Sequence, residues 1–165
     1  MLESLHVKNL VLIDEVHVDF SEGLNIMSGE TGAGKSIIID SIGIALGGKV
    51  SKDIIRKGAE YALVELVFSV DNEYKKNMIE DLGVIVEDDT VIISKRITQT
   101  KCINRVNGEN VTNSTLKKLG EILIDIHGQH QNHSLLMKKN HLNLLDKFAK
   151  SSLDNLLKDL QIAYK

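Results

Sequence analysis

At 165 residues, 42% of them hydrophobic and 26% charged, the chain has the length of one domain or slightly more and enough apolar material for a core. Its net charge of −3 excludes a uniformly basic nucleic-acid binder, so any basic surface is local, and 4% aromatics exclude an extended stacking platform for single strands. The single cysteine, Cys102, excludes an internal disulfide framework, as suits a reducing cytoplasm, and no apolar run reaches the roughly 18 residues of a membrane span.

The opening LESLHVKNL and IDEVHVDF alternate apolar and polar residues and predict two half-buried antiparallel strands, with none of the basic start or apolar block of a signal peptide. Glu22-Gly23 is a turn, and Leu24 to Ser28 is expected to be a short, more fully apolar strand, as for a central position. Lys35 to Leu46 predicts a helix with Ile38, Ile42 and Leu46 on one face, stopped by Gly47-Gly48. Tyr61 to Val70 reads as a strand, and Asp71 as the N-cap of a helix running to about Leu82. TVIISKRIT and KCINRVNG are two further strands, with Asn107-Gly108 a tight turn toward Val111. NSTLKKLGEI is a short helix, and ILIDIHGQHQ a buried strand leading into a loop. From Ser134 glycine disappears. Leu142, Leu145, Ala149, Leu153, Leu156, Leu160 and Ala163 then recur at threes and fours, the pattern of an amphipathic helix or of the root of a coiled coil. The expected domains are therefore 1–133 and 134–165.

GETGAGKS, from Gly29 to Ser36, fits the phosphate-binding pattern G-x-x-x-x-G-K-[ST]. Glycines at Gly29, Gly32 and Gly34 admit backbone conformations closed to other residues and keep Cβ atoms out of the path of phosphates. The N–H groups of Glu30, Thr31 and Ala33 can then turn inward with theirs as an anion nest. The helix that follows adds its positive end, Lys35 a point charge for the β- and γ-phosphates, and Ser36 a hydroxyl for Mg²⁺. An apolar run before the loop and a helix after it support a site for a nucleoside triphosphate such as ATP.

Five segments in order, L-x-V-K-N-L, F-x-x-G-L-N-I-M-S-G-E-T-G-A-G-K-S, I-I-R-K-G-A, V-E-L-x-F and I-D-I-H-G-Q-H, resemble the N-terminal head segment of the RecN family. These are bacterial DNA-repair ATPases related to the SMC chromosome proteins. The resemblance implies an α/β fold: the N-terminal lobe of an ABC-type ATPase head, with a mixed sheet, followed by a coiled-coil root. It implies that Gln129 is the glutamine that helps hold Mg²⁺ and senses the γ-phosphate, acting with Lys35 in catalysis. It also implies that Arg56 lies near nucleotide and DNA; an ordinary surface arginine is the alternative. ATP, Mg²⁺, DNA, a second head and a C-terminal lobe of the same protein are the implied partners, in the cytoplasm at the nucleoid. The acids and signature loop of such a second lobe are not found in these 165 residues. VIVEDD, Val84 to Asp89, comes nearest and reads as a turn before the strand at Thr90. Hydrolysis is then expected only in the complete protein.

An ABC transporter subunit is one rival, but it would stack adenine on an aromatic near the N-terminus, where Phe20 alone is available. A catalytically inactive interaction module is the other. His127, His130, His133 and His141, with Cys102, do not make the defined four-ligand set of a zinc site. Thr90 to Gly108 holds Lys95, Arg96, Lys101 and Arg105 and no acid. A hairpin of that charge suits DNA phosphates, and equally suits protection of a sheet edge by lysine.

Overall fold

The structure, a computed structural model, describes residues 1–29, 34–126 and 145, and the chain divides into two units, Met1–Ile124 and Asp125–Lys165. In the first unit, β1 (Leu2–Leu10) and β2 (Ile13–Asp19) form the expected antiparallel pair, with Leu5 opposite Val18 and Val7 opposite Val16. Strand alternation sends Leu5 and Val7 into the core and His6 and Lys8 to the other face; Leu10, out of that phase, is also buried, after Asn9 takes a left-handed φ of 54°. Val11 turns the hairpin at a φ of 51°, a left-handed conformation that strains a β-branched residue. Its N–H donates to the Ile54 carbonyl at 2.7 Å, and a Leu10–Ile55 bridge secures the next residue.

β3 (Tyr61–Ser69), β4 (Thr90–Thr98), β5 (Cys102–Val106) and β6 (Glu109–Asn110) complete a sheet of order β2-β1-β3-β4-β5-β6. Each of these neighbouring pairs is antiparallel. One face carries Leu5, Ala62, Val64, Leu66, Phe68, Val91, Ile93, Ile97 and Val106, all buried. Helix α1 (Lys35–Ala45) lies against β1, β3 and β4, and α2 (Glu73–Glu80) packs on α3 (Asn113–Leu123). Leu116 and Leu119, three residues apart on α3, and Ile79 of α2 are fully buried. Each such side chain contributes about 1.5–3 kcal/mol relative to exposure.

Four expectations are corrected. Leu24 to Ser28 is not a strand: it pairs with none of the described strands, and Leu24 and Ile26 are 84% and 81% exposed. An apolar run becomes a strand only where a neighbouring strand takes up its hydrogen bonds, and this run has no such partner among the described strands. Helix α2 is capped by Asn72, not Asp71, because the Asn72 carboxamide oxygen is the one that accepts from Lys75 N–H, at 3.2 Å. The start of ILIDI belongs to α3, which runs to Leu123, and no strand follows through Ile126. Lys95 does not lie on the outer face. The residues of β4 at 91, 93, 95 and 97 share the inner phase, so Lys95 stands opposite Val64 and is 2% exposed. VIVEDD does end in a turn: Asp88 and Asp89 take φ of 47° and 59°, and the Asp89 carboxylate pairs with Lys76.

Candidate functional site

The chain leaves β2 through a small clasp. Phe20 N–H donates to the Glu3 carbonyl at 2.8 Å, and the Asn25 carboxamide both accepts from Ser21 N–H at 3.1 Å and donates to Ser21 O at 2.8 Å. This closes a tight loop around Glu22-Gly23 and directs the chain toward Gly29. The Lys35 ammonium donates to the Gly29 carbonyl, so the two ends of the glycine-rich loop are tied across its mouth.

Helix α1 starts at Gly34, whose φ of 91° and ψ of 0° are left-handed. Among the described residues, its chain neighbours aside, a Cβ there would meet no atom within 4 Å, so glycine is required here for its backbone conformation. Among the described residues no side chain caps this helix start, in contrast to α2 and α3, which are capped by Asn72 and Thr112, and no acidic residue sits in its first turn. The first turn instead presents Lys35 and an exposed Ser36. A positive helix end, an ammonium, a hydroxyl and open space together suit a phosphate chain. The Ser36 hydroxyl is a hard oxygen donor of the kind Mg²⁺ takes beside phosphate oxygens. Asp40 lies exposed on the same helix, beyond the first turn.

Gly29, Gly34, Lys35 and Ser36 are thus brought together. Glu30, Thr31, Gly32, Ala33 and Gln129 lie outside the described residues, as do His127, His130, His133, His141 and, apart from Leu145, the heptad-like run. Arg56 is placed beside the β1–β2 hairpin. Its N–H donates to the Asn9 carbonyl at 3.0 Å and its guanidinium stands 3.6 Å from the Asp14 carboxylate. Among the described residues no group of three or more His, Cys, Asp or Glu side chains is arranged to hold a metal, and Cys102 is a free, exposed thiol.

The basic hairpin separates into two faces. Arg96 and Arg105 share the outer one, since Arg105 pairs with Ser94, two residues from Arg96. Arg96 stacks 3.9 Å over the Tyr61 ring, and Lys101 is exposed in the turn. Buried Lys95 instead donates to the Ile44 carbonyl at 3.1 Å and to the Asn113 carboxamide at 3.2 Å. Burial holds its pKa below the ordinary lysine value. Sequence reading missed Lys95 as a buried charged group and Asn113, at the start of α3, as its partner. The signal was present in the apolar phase Val91-Ile93-Lys95-Ile97, which a count of charges along the segment passes over.

Comparison with known proteins matches residues 4–165 to the family described as AAA domain. The chain is similar to the DNA repair protein RecN of Bacillus subtilis (strain 168), 41% identical over 167 residues, covering 100% of this chain and 29% of that protein. It therefore spans less than a third of the length of that relative. Among solved structures it resembles the Smc head domain with a coiled coil and joint from Pyrococcus yayanosii, with a TM-score of 0.62 and 22% identity over 99% of this chain and 36% of that one. It also resembles a chain from work described as the structural biochemistry of ATP-driven dimerization and DNA stimulated activation of SMC ATPases. That match has a TM-score of 0.61 and 23% identity, over 98% of this chain and 97% of the other. The fold is that of the N-terminal segment of an SMC-type head, an antiparallel sheet with helices on one face.

Proposed function

This chain belongs to the AAA domain family, and from that premise we propose that it is the ATP-binding lobe of a RecN-like head acting in DNA repair. The observation that carries the reading is the start of α1: a left-handed Gly34, no side-chain cap, no acid in the first turn, then Lys35 and Ser36. Gly29 to Ser36, with Glu30, Thr31, Gly32 and Ala33, cradle the phosphates. Lys35 neutralises β- and γ-phosphate charge, and Ser36 with Gln129 would hold Mg²⁺. Mg²⁺, when bound, screens the charge that develops on the phosphates during transfer. Arg56 lies near the nucleotide in this reading, released from Asp14 or sharing it.

The resemblance to RecN, together with the head structures, supports a division of labour. This lobe holds nucleotide, and a C-terminal lobe of the same protein supplies the acids that position Mg²⁺ and the attacking water. A second head closes over the γ-phosphate, so that ATP joins two heads and hydrolysis parts them. Residues 1–133 form the head lobe and 134–165 begin the arm. DNA is met at its phosphates by Arg96, Lys101 and Arg105, without Lys95, in the cytoplasm at the nucleoid. Among the described residues no helix is long and apolar enough to cross a membrane. The test is steady-state ATP turnover, with duplex DNA present, by the full-length protein that carries this lobe. Lys35→Ala is expected to lower turnover by about a hundredfold or more, the scale of losing one preorganised charge-stabilising group. Turnover equal to wild type would remove Gly29–Ser36 from the chemistry.

A further inference from the structure

Lys95 is a charged group sealed in a core, and the nucleotide reading leaves it without a task. Its ammonium is held by two helices at once. It donates to the Ile44 carbonyl at the C-terminal end of α1 (3.1 Å) and to the Asn113 carboxamide at the start of α3 (3.2 Å). Asn113 in turn donates to the Gly47 carbonyl, just past α1, at 2.9 Å. The three groups clasp the end of α1 to β4 and to α3. The contact surface is close-fitting: a Cβ on Gly47 would come within 2.8 Å of Lys117 Cγ and 3.0 Å of the Asn113 carbonyl, and one on Gly120 within 3.2 Å of Leu46 Cβ.

Stability alone does not account for a lysine here. A buried ion is costly to desolvate, and an apolar residue of similar volume commonly serves a core as well or better. What methionine could not do is bond the last carbonyls of α1. Those carbonyls form the negative end of the helix dipole, where a cation is favoured. An α-helix is a stiff rod, about 16 Å long for 11 residues, so fixing one end fixes the other. The other end is Gly34–Ser36.

We propose that Lys95 is a positioning residue for nucleotide binding: by clasping the C-terminal end of α1 with Asn113, it sets where the Gly34–Ser36 end presents its N–H groups, ammonium and hydroxyl. This rests on the reading of Gly29–Ser36 as the phosphate site, so the experiment contains a control for that reading.

The full-length protein is titrated with MgATP as wild type, Lys95→Met, Asn113→Ala and Lys35→Ala. Thermal melts and amide hydrogen exchange of α1 are recorded alongside. Lys95→Met is expected to weaken MgATP binding about two- to thirtyfold, the range for residues that couple to a site without touching the ligand. Its melting temperature should stay near wild type, and exchange should quicken along α1 but not in β1 or β3. Asn113→Ala should shift affinity the same way by less, and it decides the matter if Lys95→Met does not fold. Unchanged affinity in the folded variant, or a loss that merely follows a global drop in stability, overturns the proposal. If Lys35→Ala binds as wild type, the phosphate-site reading itself fails and this proposal with it; if only Lys35→Ala loses affinity, the site stands and the positioning role falls.

Discussion

Gly34 concentrates the local physics of the site. At a φ of 91° an L-residue is strained, and among the described residues, its chain neighbours aside, no atom lies within 4 Å of where its Cβ would be. Conformation and crowding can therefore be separated. Gly34→Ala is expected to cost about 1–2 kcal/mol of stability through left-handed strain alone. The new methyl would also stand in the space open to phosphate, so MgATP affinity should fall as well. Chemical denaturation and calorimetry of the variant check both parts. Full stability would mean that the loop relaxes to another φ and that the left-handed start of α1 is dispensable. At the same scale Lys35 and Ser36 were legible from spacing alone, because the chemistry of phosphate binding fixes both residue types in adjacent places. Lys95 was not. Its meaning depends on which face of β4 turns inward, and the charge of the segment outweighed its alternation.

At the scale of elements, β3 and β4, each with a partner on both sides, alternate buried and outward residues along their length, as β1 does as far as Lys8. Leu24 to Ser28 shows why the remainder was not legible. Its composition says strand, yet strand formation needs a neighbour, and composition carries no information about who that neighbour is. The opposite error occurred at Ile122-Leu123, where β-prone residues were taken up by α3 because Leu116 and Leu119 had already set a helical period against the core. The β1–β2 hairpin gives a test of its own. On its outer face Glu15 accepts from Lys8 and from His6, each at 2.9 Å. The Lys8 hydrogen bond first, then that of His6, holds the Glu15 carboxyl below the ordinary carboxylate range, and Lys8 is raised in return. A depressed carboxyl contributes stability that is present above its ordinary value and lost as pH falls through the depressed one. A raised lysine contributes stability below its ordinary value that is lost as pH climbs through the raised one. In an NMR titration Glu15 should therefore protonate below the usual range, and Lys8→Ala should move that midpoint upward. An ordinary midpoint in both proteins would show that the pair does not persist in solution.

At the scale of the whole lobe, the sheet has one covered face, and α1 is laid against that face. The sheet supplies a rigid floor, α1 delivers a positive end to the loop, and the clasp of Lys95 and Asn113 holds the far end of the helix. The fold class was legible because one motif, Gly29 to Ser36, sits between segments whose order recurs in a family. The distribution of basic charge was not, since net charge says nothing about which residues face inward. The account stands on the phosphate site, and calorimetric titration with MgATP of wild type and Lys35→Ala tests it most directly. The predicted result is measurable binding by the wild type, weakened in the variant by about 1.5–3 kcal/mol, the size of a charge-assisted hydrogen bond. Equal affinity in the two proteins, with both folded, would contradict it.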